Sequence, residues 1–377
     1  MEANDNLLII QQVFLCLLAN EQGDTLFNDV KNEEQKKKRR KIMKQQQILL
    51  KERPNGMPTS STFQYGETDV VQPTEGEVQL KTLYLSVDPY MLGRMNDAKS
   101  YTAPFQVGEP LNGGIVAVVT KSHSSDLQEG DVVTGMLEWK EYNTVDADAV
   151  RKLDLHGVSS STALGVLGMP GLTAYFGMYK IGEPKEGETV VISGAAGAVG
   201  SVAGQLAKIK GARVIGIVGS KEKADYIKSL GFDEAINYKT DNLKEVLKEH
   251  CPDGIDVYFE NVGGEISDHI LPHLNTFARV PVCGSISSYN LEKGERDIGV
   301  RVQGFLVKAR VKMQGFLVRD FEDQFQEAYK ALASYVEAGE LQYEETIHEG
   351  LERVPEAFIG LFKGENIGKQ LVKVSEK

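Results

Sequence analysis

The sequence predicts an α/β protein built from a doubly wound parallel sheet and a second, β-rich domain. Three observations lead to this prediction. At 377 residues the chain is long for a single hydrophobic core. Short β-rich runs bounded by glycine fill its first part, with little helix between them. From about residue 171, apolar strands alternate with helices, which is the pattern of a parallel sheet.

Composition and charge exclude several classes of protein. The chain carries 42 basic and 54 acidic side chains, and this net charge of −12 argues against a nucleic-acid groove or an anionic membrane surface as the main partner. Its three cysteines, Cys16, Cys251 and Cys283, are odd in number and far apart. A disulfide framework and cysteine-rich zinc sites are therefore excluded. We expect a small-molecule substrate.

Residues 1–42 differ from the rest of the chain. An apolar stretch at 7–18 is too short to span a bilayer and lacks the preceding positive charge of a signal peptide. The basic run at 36–41 is open to three interpretations: a localisation signal, a phosphate-binding patch or a solvated, disordered extension. We expect residues 1–42 to be a solvated, disordered extension, and hypothesise that Met43 is the functional start. We also expect a cytoplasmic protein with no membrane partner.

From Met43 onward the β-rich part is regular. Residues 77–87 form a long extended run, and 115–119 and 131–134 are shorter ones bounded by glycine, such as Gly135. These runs predict a compact β domain. The tail returns to mixed structure, with an amphipathic helix at 321–338, an apolar segment at 354–362 and a strand at 370–374.

The middle of the chain alternates strands and helices. Residues 189–192 form a fully apolar strand, and a helix containing Val199 and Leu206 follows it. Further strands are expected at 214–218, 235–237, 257–259 and 278–282, and helices at 224–230 and 243–248. Pro281 is unusual for a central strand. The alternation predicts the parallel sheet.

A glycine-rich loop joins the first of these strands to its helix. Aligned to G-x-G-x-x-G, the glycine positions hold Ala195, Gly197 and Gly200, so the first one departs from the motif. Gly197 would let a pyrophosphate approach the backbone, and Gly200 would let the helix pack closely on the strand. The diphosphate would sit on amide groups at the helix N-terminus. A tight turn without a ligand is the alternative, and the flanking strand and helix favour dinucleotide binding.

The end of the next strand indicates which dinucleotide binds. An NAD enzyme would place a carboxylate there for the ribose 2′-hydroxyl, whereas this chain has Ser220 at the tip, followed by Lys221 and Lys223. The sequence therefore favours NADPH over NADH, with Lys223 and Tyr238 at the 2′-phosphate. The alternative is that the lysines are solvated surface charges.

Five motifs occur in one order along the chain. They are SVDPYM at 86–91, AAGAVG at 195–200, NVGG at 261–264, CGSISSY at 283–289 and GENIGK at 364–369. With these motifs the chain resembles the zinc-independent medium-chain dehydrogenases/reductases. Within that family it is most similar to the branch of prostaglandin and leukotriene reductases, alkenal double-bond reductases and curcumin reductases. The resemblance covers about residues 43–377.

The resemblance implies a fold, an activity and a set of cofactor contacts. A Rossmann domain at 171–319 would be inserted in a β-rich, GroES-like catalytic domain made of 43–170 plus 320–377. The activity would be NADPH-dependent reduction of the carbon–carbon double bond of α,β-unsaturated aldehydes and ketones, by a homodimer. The expected cofactor contacts are Gly197, Ala198, Val199 and Gly200 at the diphosphate, Lys223 and Tyr238 at the 2′-phosphate, Asn261 beside the cofactor, Cys283, Gly284, Ser285, Ile286, Ser287 and Tyr289 along the nicotinamide, and Phe316, Leu317, Val318 and Asn366 closing over it.

Two positions depart from the family pattern. Leu92 stands where many relatives have arginine, and Lys308 stands where some have a tyrosine proton donor. The expected chemistry is hydride transfer to the β-carbon, which moves negative charge onto the carbonyl oxygen. Tyr90 and Tyr289 are the candidate catalytic donors to that oxygen, and Tyr90 as a packing residue is the alternative.

No metal is expected at the site. His123 and His156 have no adjoining glutamate, and His269 and His273 lack the glutamate of a zinc-protease motif. Cys283 is expected to be a packing residue, since no base accompanies it in the sequence. Two alternative functions stay open at this point: a quinone oxidoreductase on the same fold, and a non-catalytic NADPH-binding protein.

Overall fold

The computed structural model describes residues 43–97, 100–154 and 157–377. The expected disordered extension at 1–42 lies outside this part of the chain, as does His156. Among the described residues no helix combines the length and the apolar character needed to cross a membrane.

One sheet is parallel throughout and contains six strands. They are β8 (Thr189–Ser193), β9 (Arg213–Val218), β10 (Glu234–Asn237), β11 (Ile255–Phe259), β12 (Leu274–Val282) and β13 (Lys312–Gly315), in the order β10-β9-β8-β11-β12-β13. All five residues of β8 are buried, as expected for a strand covered on both faces. The strand order reverses between β8 and β11, and ligands of doubly wound sheets bind at such a switch point.

Helices cover the parallel sheet. They are α2 (Met169–Phe176), α3 (Gly200–Ile209), α4 (Lys221–Ser229), α5 (Leu243–His250), α6 (Gly264–Ile270), α7 (Gln303–Ala309) and α8 (Phe325–Glu337), with the short α1 (Met91–Met95) and α9 (Val354–Lys363) elsewhere in the chain. Ala328 and Leu332 of α8 share one buried core with Val190 of β8 and Leu206 of α3. The predicted division at residue 320 would assign α8 to the β-rich domain, whereas α8 packs in the core of the parallel sheet. The two-domain boundaries stay a prediction.

The second main sheet is β-rich and uses both ends of the described chain. It contains β3 (Glu77–Ser86), β4 (Asn112–Ser122), β5 (Val132–Glu138), β6 (Tyr142–Asp146), β7 (Val150–Lys152), β14 (Glu345–Glu349) and β15 (Lys369–Lys373). Its order is β14-β15-β3-β4-β5-β7, and β6 also pairs with β3. A separate two-stranded sheet joins β1 (Lys44–Leu50) and β2 (Phe63–Asp69). The α/β fold class with separate parallel and β-rich sheets is confirmed.

The sequence located five strands of the parallel sheet (β8 to β12) and four of the β-rich sheet (β3, β4, β5 and β15), and missed β1, β2, β6, β7, β13 and β14. Pro281 does lie inside β12, next to its last residue, and its carbonyl still accepts a hydrogen bond from the Glu260 amide at 3.0 Å. The helix expected at 321–338 begins as a 3₁₀ turn at Val318–Gln324 and becomes α-helical only at Phe325.

Candidate cofactor and substrate site

The glycine-rich loop between β8 and α3 has the geometry of a diphosphate cradle. A Cβ built on Gly200 would lie 2.4 Å from the Gly194 carbonyl oxygen, so only glycine lets the helix start this close to the loop. A Cβ on Gly197 would have a single neighbour, that same oxygen at 3.3 Å, which leaves the space beside Gly197 open. Ala198 and Val199 complete the turn into the N-terminus of α3.

The alanine at the first motif position is accommodated by a glycine on the neighbouring strand. Ala195 is fully buried, and a Cβ on Gly216 of β9 would lie 2.8 Å from the Ala195 methyl. The methyl group therefore fills space that a side chain at Gly216 would need. The departure from G-x-G-x-x-G leaves the loop closely packed.

Four side chains converge where β9 and β10 end. Ser220 caps α4 by accepting a hydrogen bond from the Lys223 amide at 3.2 Å. Tyr238 and Lys239 both approach Gly219, where a Cβ would lie 3.0 and 3.3 Å from their atoms. Burial and the neighbouring Lys239 ammonium lower the pKa of Lys223. An anion between the two ammonium groups would relieve their repulsion, so these residues fit a 2′-phosphate.

Lys239 is absent from the residues predicted from sequence. The available signal was its position directly after Tyr238, at the end of a strand adjacent to the one that carries Ser220. Because parallel strands end at one edge of the sheet, a lysine after β10 had to lie near the lysines after β9. The positive charge of the predicted 2′-phosphate site therefore comes from residues after two adjacent strands, Lys223 after β9 and Lys239 after β10.

Asn261 is held at the end of β11 by two hydrogen bonds to Ser193. Its amide donates to Ser193 Oγ at 2.9 Å, and its side-chain Nδ2 donates to the Ser193 carbonyl at 2.7 Å. The preceding residue, Glu260, was not predicted and is 5% exposed. Its Oε1 accepts hydrogen bonds from Ser193 Oγ and from the Val262 and Gly263 amides, and its Oε2 accepts one from Tyr258. Four donors thus satisfy a buried carboxylate that shapes the NVGG loop.

The loop at 283–289 lies against the NVGG loop. Ile286 and Ser287 donate backbone hydrogen bonds to the carbonyls of Asn261 and Val262, and Ser287 Oγ donates to Val262 at 2.6 Å. Gly264 has a φ of +58°, and a Cβ there would lie 2.9 Å from Ser287 Oγ. The two loops therefore form one surface at the carboxyl ends of β11 and β12.

Cys283 begins this loop and is not activated. Burial, assisted by the Glu260 carboxylate, raises the pKa of the Cys283 thiol to about 12. The thiol is therefore protonated at neutral pH, whereas a nucleophilic cysteine needs the thiolate.

Two further segments predicted to face the cofactor have different surroundings. Phe316 and Val318 are partly buried against the core shared by α2, α3 and β8, and the Leu317 amide is bonded to Asp320 Oδ2 at 2.9 Å. Asn366 donates to the Gly368 carbonyl at 2.8 Å, and thereby folds its own segment. Cofactor contact by these four residues stays a prediction.

The segment at 364–369 contacts the cofactor cradle directly. The Gly368 amide donates to the Ala196 carbonyl at 2.8 Å, and Lys223 Nζ donates to the Gly364 carbonyl at 2.8 Å. The chain near its C-terminus thus contacts both the diphosphate loop and the lysine predicted to hold the 2′-phosphate.

Tyr90 lies at the entry to α1, four residues after the end of β3. It is partly buried against the core of the β-rich sheet and forms a side-chain hydrogen bond with Arg94. Burial, with a contribution from Asp88, raises the pKa of Tyr90. Arg94 is in turn fixed by a hydrogen bond to Asn112 Oδ1 at 2.7 Å and lies 3.9 Å over the ring of Phe105. Sequence reasoning noted Leu92 and missed Arg94.

Tyr289 approaches the same region from the parallel sheet. Its hydroxyl oxygen accepts a hydrogen bond from the Ser285 amide at 3.3 Å, and the ring packs with Tyr90 against the β-rich core. Tyr101 is half exposed, and both Tyr289 and Arg94 influence its pKa, so it lies near this region. Burial raises the pKa of Tyr101 and Tyr289, so both hydroxyls are protonated at neutral pH. The structure brings together three tyrosines that can donate hydrogen bonds.

Neither of the two positions that depart from the family pattern adds a proton donor to this cluster. Leu92 is fully buried in the core of the β-rich sheet, and Lys308 is exposed on α7. Lys308 in this position is not a substitute for a buried proton donor.

No group of three or more potential metal ligands occurs within the described residues.

Comparison with known proteins identifies relatives along almost the whole described chain. Two family models match: the N-terminal domain of oxidoreductase at residues 46–153, and zinc-binding dehydrogenase at residues 198–334. YfmJ of Bacillus subtilis (strain 168), named as an NADP-dependent oxidoreductase, is 58% identical over 87% of this chain and 97% of its own length. The NADP(+)-dependent 2-alkenal reductase of Nicotiana tabacum is 43% identical over 88% of this chain and 97% of its own.

A solved structure with cofactor is also similar. The crystal structure of CurA from Vibrio vulnificus in complex with NADPH aligns with a TM-score of 0.84 and 42% identity, covering 88% of this chain and 100% of that one. The open space at Gly197 and the lysine pair at the strand ends agree with NADPH as the cofactor. The chain therefore belongs to the medium-chain dehydrogenase/reductase family, in the branch of the NADP-dependent reductases, and is an NADP-dependent oxidoreductase.

Proposed function

We propose that this protein reduces the carbon–carbon double bond of α,β-unsaturated aldehydes and ketones. The observation that carries the proposal is that Tyr90 and Tyr289 pack against one core, with the Tyr289 hydroxyl bonded to the loop at 283–289 that is predicted to line the nicotinamide. Both hydroxyls are protonated and both residues are partly buried, as needed to stabilise a developing enolate oxygen. The relative named 2-alkenal reductase supports the same substrate class.

NADPH, when bound, supplies the hydride. The chain's own residues provide the alignment and the hydrogen bonds. The glycine loop and Lys223 with Tyr238 and Lys239 would hold the diphosphate and the 2′-phosphate. Asn261 and the loop at 283–289 would then set the position of the nicotinamide at the carboxyl ends of β11 and β12.

Tyr90 and Tyr289 would act on the substrate carbonyl. The Arg94 guanidinium donates to Tyr90 and leaves its hydroxyl proton free for the substrate oxygen. The Ser285 amide does the same for Tyr289. Because burial raises the pKa of both hydroxyls, they act as donors and not as bases. A tyrosine or water then protonates the α-carbon.

The test is the product formed from a panel of substrates. NADPH oxidation is measured with a 2-alkenal, the saturated aldehyde of the same length and a benzoquinone, each with NADH in parallel. NADPH deuterated at the transferred C4 position should place deuterium on the β-carbon of the alkenal. Turnover of the quinone alone would favour an oxidoreductase of the quinone type, and tight NADPH binding without any turnover would favour a non-catalytic protein.

Variants of the tyrosines test the roles assigned to them. Tyr90→Phe and Tyr289→Phe should each lower kcat for the alkenal by about a hundredfold, the scale of one positioned proton donor. Tyr65→Phe is the matched control, because Tyr65 is 54% exposed and its hydroxyl bonds only to the Glu352 carbonyl. Unchanged kcat in both cleft variants would exclude the tyrosines as donors.

We also propose a homodimer, as the resemblance implies. Strand β13 is an edge of the parallel sheet, with β12 as its one partner in the described part of the chain. Val307, in the helix before it, is 80% exposed. An unpaired edge strand beside exposed apolar side chains supports pairing with a second copy.

A further inference from the structure

A buried ion pair joins two motifs that lie 281 residues apart. Lys369 Nζ donates to Asp88 Oδ1 at 2.9 Å and to the Val87 carbonyl at 2.9 Å. The two side chains are only 5% and 10% exposed. Ser86 Oγ donates to the other carboxylate oxygen of Asp88 at 2.5 Å. Each charged group is therefore satisfied by the pair and by one further partner.

The sheet does not require this pair for its own formation. Leu371 of β15 lies opposite Ser86 of β3, which places Lys369 opposite Asp88 in the same antiparallel register. Leu371 and Val372 are fully buried, so apolar packing already holds β15 against β3. Because moving two charges out of water is costly, a buried pair is weak evidence of a stabilising role. The pair therefore calls for an explanation other than stability.

Asp88 is placed to control Tyr90. Its carbonyl accepts a hydrogen bond from the Met91 amide at 3.1 Å, which begins the turn that carries Tyr90 into α1. Its carboxylate also acts electrostatically on the Tyr90 hydroxyl. A carboxylate that lost its partner would move, take up a proton or bond to Tyr90 directly, and each change would alter the direction or charge of that hydroxyl.

Lys369 is attached to the cofactor side of the site. The residue before it, Gly368, donates to Ala196 of the glycine loop at 2.8 Å, and the Lys369 amide donates to the Glu344 carbonyl at 2.9 Å. The backbone of Lys369 is thus fixed relative to the diphosphate loop, while its ammonium group reaches the turn that precedes Tyr90. One residue spans the distance between the two halves of the site.

We propose that Lys369 is a positioning residue, which holds Asp88 so that Tyr90 is aimed at the substrate relative to the bound cofactor. This rests on the proposed function, in which Tyr90 donates to the substrate carbonyl. Lys369 itself does not touch substrate. Ser86 supports the same arrangement through its bond to Asp88.

The test is a double-mutant cycle between Lys369 and Tyr90. Lys369→Met should lower kcat for a 2-alkenal by about tenfold to a hundredfold, the cost of a small misplacement of a reacting group. Its Kd for NADPH, measured by fluorescence titration, should change far less, because the backbone contact of Gly368 remains. In the Tyr90→Phe background, Lys369→Met should cause no further loss of kcat. Lys373→Met on the same strand is the matched control, since Lys373 pairs with Glu376 outside the site.

The remaining outcomes separate the two proposals. An equal loss of kcat from Lys369→Met in both backgrounds would overturn the positioning role and leave the role of Tyr90 intact. If the single variant Tyr90→Phe has an unchanged kcat, both the donor role of Tyr90 and the positioning role of Lys369 are overturned. If Lys369→Met does not fold, Ser86→Ala removes one bond to Asp88 and keeps the ion pair. It should lower kcat in the same direction, by less, and only when Tyr90 is present. A loss with Tyr90→Phe also in place would overturn the proposal.

Discussion

The two ends of the cofactor site are built in different ways. The diphosphate end is formed by contacts between backbone atoms. Gly200 lies against the Gly194 carbonyl, and the Gly368 amide donates a hydrogen bond to the Ala196 carbonyl. At the substrate end, side chains meet side chains, with Tyr90, Tyr101 and Tyr289 arriving from separate segments. The first end therefore tolerates no added side-chain atom at Gly200, whereas the second depends on the placement of side chains from several segments. A substitution at the first end should therefore affect binding, and one at the second should affect turnover.

The largest expected effect comes from adding one methyl group to the diphosphate loop. Gly200→Ala should destabilise the protein by about 1–3 kcal/mol and abolish NADPH binding, because its Cβ would overlap the Gly194 backbone. Gly197→Ala is the matched variant: its Cβ meets only one atom, at 3.3 Å, so stability should stay within about 0.5 kcal/mol. Its NADPH affinity should still fall. Thermal unfolding and NADPH titration separate the two effects, and equal stability losses would contradict the assigned geometry.

An intermediate effect is expected at the 2′-phosphate. Lys223→Met and Lys239→Met should each weaken NADPH binding by about tenfold or more and leave NADH binding unchanged, since hydrogen bonds to charged groups contribute about 1.5–3 kcal/mol. Titration with both cofactors measures the selectivity. Lys221→Met is the control, because the Lys221 side chain is 86% exposed and pairs with Asp225 at 2.6 Å. Parallel losses of NADPH and NADH affinity would place the two lysines elsewhere on the cofactor.

The smallest effect is expected at Cys283, although it begins the loop that carries Tyr289. With a pKa raised to about 12, the folded thiol is protonated across the accessible pH range, while an unfolded thiol ionises near its ordinary value. Alkylation by iodoacetamide at pH 8 should therefore be slow in the folded protein and fast after denaturation. Cys283→Ala should keep most of the kcat. Rapid labelling of the folded enzyme at Cys283, located by peptide mass mapping, would contradict this account.

The fold could be predicted from sequence wherever burial is continuous. Strands such as β8 and β11 were located because both faces of a central parallel strand are apolar, and this leaves a clear run in the sequence. Strand β13, with the sequence KMQG, holds one large apolar residue and leaves no such run. The start of α8 was missed because a 3₁₀ turn has nearly the same apolar spacing as the helix that follows it.

Site residues could be predicted where the motif that contains them occupies a short stretch of sequence. The glycine loop and Ser220 each lie at the end of a strand and the start of a helix, so a short stretch of sequence is enough to recognise them. Arg94, Lys239 and Glu260 were missed because their significance arises from contacts with Tyr90, Lys223 and Ser193, which only the folded chain provides. The bond between Lys369 and Asp88 joins two recognised motifs whose proximity the sequence does not show.

The contact between Lys369 and Asp88 also bears on how the protein is made. During synthesis the β-rich strands near residue 80 leave the ribosome long before residue 369, and β3 must wait for β15 as its neighbour. Pairing across 281 residues carries a high loop-closure entropy and folds slowly. Until that strand is translated, Asp88 in the turn bearing Tyr90 lacks its ion-pair partner. The strands of the parallel sheet all precede residue 316, so they can pair before Lys369 is translated and completes the substrate side.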